Sequence, residues 1–142
     1  VSQIAVAPFV LKDIDLQIDV DNYEKHVSSA QLVPSVSQQT LTWKGLSPGT
    51  EFTDTSTPDI TWALQLTFAQ DWDTLNSLSQ YLLTNAGQTK NIVLQPKAGS
   101  GQKTFTVDAV IVPGPVGGDI DTYQTGQVSL PVIGAPAVGT SV

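Results

Sequence analysis

The segment "KDIDLQIDVD", residues 12–21, alternates without interruption between polar and aliphatic side chains. Successive strand residues point to opposite faces, so this period of two sets Ile14, Leu16, Ile18 and Val20 against a core. Asp13, Asp15, Gln17, Asp19 and Asp21 then share the other face. Same-face neighbours lie about 6.6 Å apart, where two carboxylates repel by about 0.6 kcal/mol in water. A wetted surface tolerates that. A dry interior does not, because each buried ion costs several kcal/mol and the chain has no arginine to compensate.

The same alternation recurs along the chain. "TLTWK" puts Leu41 and Trp43 on one side, and "DITWALQLTFA" separates Ile60, Trp62, Leu64, Leu66 and Phe68 from Thr61, Ala63, Gln65 and Thr67. "KNIVLQP", "KTFTVDAVIV" and "DTYQTGQVSLPV" read as three further strands, divided by the turns "KAGSGQ" and "PGPVGGD". One stretch departs from this period. At about 100° per residue, Trp72, Leu75, Leu78, Leu82, Leu83 and Ala86 form a stripe that only Ser79 interrupts, which predicts a helix over about residues 72–86. Asp71 is its expected N-cap and Gly87 its left-handed stop.

A lone helix with one apolar stripe has to pack on a sheet. The expected fold is therefore mainly β, a β-sandwich or partial barrel with one flanking α-helix, in a single domain over residues 1–142. Residues 45–59 read as a long loop and residues 131–142 as an extended C-terminal arm, lengths that suggest a binding role.

Composition narrows the function. Acidic residues number 13 against 6 basic ones, all lysine, for a net charge of −7. Such a chain repels polyanions, and specific nucleic-acid recognition leans on arginine. Cysteine is absent, which removes disulfides, thiolate metal sites and a thiol nucleophile. The apolar opening "VSQIAVAPFVL" lacks a basic flank and a cleavage site, so no signal peptide is expected. No stretch reaches the roughly 18 apolar residues of a membrane span, and no membrane partner is expected.

Several patterns imitate catalytic or binding motifs. Asp13, Asp15, Gln17, Asp19, Asp21 and Glu24 fit the ligand positions of an EF-hand loop, but Ile18 occupies the obligatory glycine position. "AGSGQKT" departs from a phosphate loop at Gln102 and runs into a strand instead of a helix. His26 is the single histidine, with no strained serine elbow to serve. Asp119 and Asp121 alone are a thin basis for a cation site. Trp43, Trp62 and Trp72 sit at core positions. No catalytic constellation emerges, and neither an enzyme, a cofactor nor a metal is expected.

"TWALQLTFAQDWDTLNSLSQYLLTNAGQTKNIVLQP", residues 61–96, resembles the major tail protein of long, non-contractile-tailed bacteriophages, the subunit of the tail tube. The strand ending in "FAQDW", the helix with "SLSQYLL", the "NAG" stop and the strand leading into a proline carry the likeness, which extends over most of the chain after residue 11. The resemblance implies hexameric rings stacked into a hollow tube in the virion, assembled in the host cytoplasm. It also implies partners such as the tape measure protein, and DNA that passes through without specific binding. It makes Asp13, Asp15, Gln17, Asp19 and Asp21 candidate lumen-facing residues, alongside the rival face of Thr61, Gln65 and Thr67. Leu46, Glu51, Phe52 and Asp54 become a candidate ring-stacking loop. Many members of that family carry a further immunoglobulin-like domain, which is not expected in this chain. Two alternatives remain: a monomeric β-sandwich module that binds carbohydrate or protein, and a ring-forming terminator or decoration subunit.

Overall fold

A computed structural model describes residues 2–141, and most of the alternating segments form strands in it. In chain order the elements are β1 (Asp15–Ile18), β2 (Asp21–Asn22), β3 (Val27–Ser37), β4 (Thr40–Lys44), β5 (Glu51–Thr55), β6 (Asp59–Ala69), α1 (Leu78–Thr84), β7 (Thr89–Gln95), β8 (Lys103–Val110) and β9 (Thr125–Thr140). The protein is mainly β and sandwich-like, with one flanking helix. A 7-stranded antiparallel sheet runs in the order β2-β1-β7-β8-β9-β6-β3, and β4 pairs separately with β5.

β9 folds this sheet over on itself. From Thr125 to Val132 it pairs with β6, and from Val132 to Thr140 with β8. At the changeover β9 advances from Ile133 to Ala137 while β8 moves only from Asp108 to Thr106. This bulge holds Pro136, together with Gly134 at φ 77°. Extra residues on one strand bend it and raise its twist, which lets a strand pass from one layer to the other. One layer is β3, β6 and the first half of β9. The other is the second half of β9 with β8, β7, β1 and β2.

Between the layers the alternating apolar positions meet in one cluster. Leu64, Leu66 and Phe68 of β6 face Leu16 and Ile18 of β1, Ile92 of β7 and Val107 of β8 across it. Phe68 is wedged so tightly that a Cβ added at Gly114 or Gly126 would stand 2.6 or 2.9 Å from its Cζ. Leu78 and Leu82 of α1 are fully buried and plug one end of the sandwich. Burying two leucines stabilises by about 4 kcal/mol, which anchors a helix too short to persist by itself.

Several expectations need correction. The unbroken opening strand is in fact a tight hairpin: Ile18 pairs with Asp21, and Asp19 and Val20 form the turn between them. Asp19 adopts φ 57°, a left-handed conformation that aspartate tolerates better than most residues, and Val20 is 79% exposed instead of packed. The helix is shorter than residues 72–86 because Asp71 does not cap it. The Asp71 Oδ1 accepts the N–H groups of Asp73 and Thr74, each at 3.1 Å. The Thr74 hydroxyl foremost, then the Thr74 and Asp73 N–H groups, hold its carboxyl below the usual range. The chain turns through Asn76 at φ 60° before Ser77 becomes the N-cap, so Leu75 is lifted into solvent. Gly87 adopts φ 85°, the left-handed conformation expected of it.

The long loop at residues 45–59 is largely structured as the far side of the β4–β5 hairpin and the start of β6. The expected C-terminal arm is the second half of β9, paired to β8 up to Thr140. Lastly, β3 arises from "VSSAQLVPSVS", which shows no clean period and contains Pro34. Proline is admissible there because β3 is an edge of the sheet.

The helix plug gives a direct test. Leu82→Ala should lower the unfolding free energy by about 2–5 kcal/mol in a urea titration, whereas Leu75→Ala should stay within about 0.5 kcal/mol of the parent. Equal effects from the two would contradict the observed placement of the helix.

Candidate assembly interface

Three features of this fold present unsatisfied surface. The first is the outer edge of β3. Val27–Ser37 pairs with β6 apart from a register shift between Val27 and Ser29, and no strand among the described residues pairs with its other side. No charged residue interrupts these 11 residues; Pro34 and a bulge between Val27 and Ser29 are the breaks in them. Natural edges of that length are shielded by lysines, bulges or covering loops, because free N–H and C=O groups template further pairing. The opposite edge is treated differently: β2 is 2 residues long and ends the sheet abruptly.

The second feature is the β4–β5 hairpin, which leaves the body where β3 ends and returns where β6 begins. Trp43 and Phe52 are register partners with ring centroids 5.8 Å apart, and both are mostly exposed. Trp43 at 60% exposure corrects the expectation that it packs in the core; Trp62 and Trp72 are half-buried. The strand alternation of "TLTWK" was legible, but the body offers no layer for its apolar face to cover. Of the candidate stacking residues, Leu46 stands at the tip, fully exposed, and Glu51, Phe52 and Asp54 lie along β5.

The third feature is an apolar cleft of about 590 Å³ at the end opposite α1. Trp62, Phe105, Pro136 and Val138 line it, together with Phe9 and Leu11 of the extended N-terminal segment. The Lys97 Nζ lies 5.9 Å from the Phe9 ring, and the Ala98 N–H donates to the Asp13 carbonyl at 2.9 Å, so the segment is tied to the rim. The turn beneath it is pinned by Gln95, whose Nε2 donates to the carbonyls of Lys97 and Gly99.

The candidate lumen-facing residues do not form one continuous strand face. Asp15 and Gln17 share the outward side of β1, Asp13 precedes it in a bend, and Asp19 and Asp21 surround the hairpin turn at the helix end. Asp19 lies 3.9 Å from Lys90. A different face is uniform. On the outer side of β3, β6 and β9, Gln31, Gln65 and Ser129 stand in register, as do Ser29, Thr67 and Gln127. Sequence reasoning noted Gln65 and Thr67 but missed their partners, since cross-strand register is not encoded in any one segment.

The remaining motifs have structural places. His26 sets its ring edgewise on Tyr23, centroids 5.7 Å apart. Asp119 and Asp121 belong to no group of three or more potential metal ligands among the described residues. Among those residues, no helix is long and apolar enough to cross a membrane.

At the helix end Tyr23 is buried, and its hydroxyl donates to the Asn76 carbonyl at 3.1 Å. Burial first, then the Asp21 carboxylate and Tyr81, push its phenol up from 10.0 to about 12. Because the folded value lies above the unfolded one, the protonated ring stabilises the fold fully below about pH 10, and that contribution is lost as pH rises toward 12. Thermal melts should therefore fall more steeply over this window for the parent than for Tyr23→Phe; parallel curves would contradict it.

No protein-family model matches this sequence, and no curated protein does.

Proposed function

We propose that this chain is a self-assembling structural protein, a tail-tube subunit whose copies join laterally into hexameric rings that stack around a channel. One observation carries the reading: β3 offers a long, uncharged strand edge, unpaired among the described residues, that a neighbouring copy can extend. Lateral contact of this edge with a different surface of the neighbouring copy would cover it in every copy, and a heterologous contact of that kind can close into a ring with no free end. The resemblance of residues 61–96 to major tail proteins supports the same conclusion.

In this reading the channel lining belongs to the layer that carries the β3 edge. The layer carrying the edge turns Ser29, Gln31, Gln65, Thr67, Gln127 and Ser129 outward, all uncharged. Asp15 and Gln17 stand on the opposite wall of the sandwich. Hydroxyls and amides offer passing DNA no cation to bind, while the net charge of −7 adds a repulsive field. In this reading the bore is lined by the neutral rows, and the aspartates lie elsewhere. The β4–β5 hairpin, with Leu46, Glu51, Phe52 and Asp54, reaches toward the next ring. The tape measure protein would occupy the channel during assembly in the host cytoplasm.

The exposed Trp43–Phe52 pair favours a second reading, a monomeric binding module that stacks a sugar or clasps a protein. Negative-stain microscopy of concentrated protein separates them: tubes or rings are expected, and persistent monomers that bind a glycan support the module. Gln31→Lys with Ser35→Lys places like charges on the β3 edge and should abolish rings without changing the monomer's melting temperature by more than a few degrees. Undiminished assembly by that variant would exclude β3 as the lateral joint.

A further inference from the structure

The free edge of β3 has a second unpaired segment of the same chain beside it. Residues 2–14 lead into β1 without entering a strand, and they carry no charged side chain before Lys12. Phe9, Leu11 and Ile14 of this lead-in share the lining of the apolar cleft with Ala30 and Leu32 of β3. Farther along, Ile14 and Leu16 approach Val27 around a pocket of only about 20 Å³. Residues 23–26 then close the gap by crossing from β2 to β3, held by the Tyr23 N–H, which donates to the Leu16 carbonyl at 2.8 Å. The lead-in and β3 are thus two arms of a fork, and they run antiparallel: the low-numbered end of one lies beside the high-numbered end of the other.

The inward positions of both arms change parity at the same place. Phe9 and Leu11 are separated from Ile14 by a bend at Lys12 and Asp13. On β3, Ala30 and Leu32 are separated from Val27 by the register shift before Ser29. One extra residue turns every later side chain to the other face, so two such breaks match only if they lie opposite each other. A single antiparallel alignment satisfies both, with Ile14 opposite Val27, Leu11 opposite Ala30 and Phe9 opposite Leu32. The other edge of the lead-in is already fixed, since the Ala98 N–H donates to the Asp13 carbonyl and extends the β1–β7 ladder. We infer that residues 9–14 are a strap that closes onto Val27–Leu32, seals the cleft and occupies the β3 edge in a lone copy. Phe9 and Leu11, 57% and 51% exposed with the strap open, leave water on closure, and the edge amides gain partners. A neighbour reaches the edge only when the strap opens, so the strap restrains the assembly of free subunits.

What the strap restrains rests on the tube-subunit reading; that it closes does not. The chain has no cysteine, so paired substitutions report the approach of the two arms directly. A disulfide requires Cα atoms within about 7 Å. Leu11→Cys with Ala30→Cys, and separately Phe9→Cys with Leu32→Cys, should oxidise in dilute monomer far faster than Phe9→Cys with Leu75→Cys, which joins the cleft end to the helix end. The oxidised monomers should need a concentration about tenfold higher or more to form rings, and reduction should restore the parent value. Phe9→Asp with Leu11→Asp, which disfavours closure, should lower that concentration, with near-ultraviolet circular dichroism verifying its fold. Oxidation of both pairs no faster than the Leu75 control would overturn the strap. Rapid oxidation with ring formation unchanged by the bond would overturn its restraint on assembly. A parent that forms no rings while both pairs oxidise rapidly would overturn the tube-subunit reading and leave the closing strap in place.

Discussion

β9 is the constraint on which the structure depends, because it hydrogen-bonds to β6 with its first half and to β8 with its second. Without that change of partner the sheet would be a single open layer with one face of leucines in water. The bulge around Gly134 and Pro136 turns the strand, brings the two layers face to face, and lets Leu64, Leu66 and Phe68 share a core with Leu16 and Ile18. The cleft is a consequence of the same geometry. Where β9 leaves β6 the layers splay, and their apolar inner faces remain open at Trp62, Phe105 and Pro136.

Closing a sandwich in this way leaves two edges with unequal protection. The β2 edge is too short to template anything, whereas β3 is long, uncharged and free. A solitary protein with such an edge carries an aggregation hazard; an assembling one uses it as a joint. The body also exposes apolar side chains at both ends and along an aromatic hairpin. Taken together these surfaces leave one strand edge and several apolar side chains uncovered in a single copy. Association with further copies, as proposed, would cover them.

Much of the fold was legible because period two is a local signal. β6, β7, β8 and the first half of β9 could be read from alternation, and the helix from its leucines. What was lost depended on partners distant in sequence. The aspartate run keeps its alternation through Asp19 and Val20, yet the chain reverses there, because pairing Ile18 with Asp21 lets β1 bury Leu16 and Ile18 while the turn faces water. Trp43 has core parity in a hairpin that has no core. β3 hides its strand character because it contains a proline that only an edge accepts, and its candidate role comes from the sheet order. The neutral rows of glutamine, serine and threonine, likewise, exist only once three strands are set in register.

Amide hydrogen exchange, followed residue by residue on monomers and on the assembled form, tests the central claim most directly. If copies join through β3, outward-facing N–H groups between Val27 and Ser37 that exchange rapidly in the monomer should become slow on assembly, while the β4–β5 hairpin tip at Leu46 changes independently of ring closure. Continued rapid exchange along β3 in intact assemblies would contradict lateral joining through this edge.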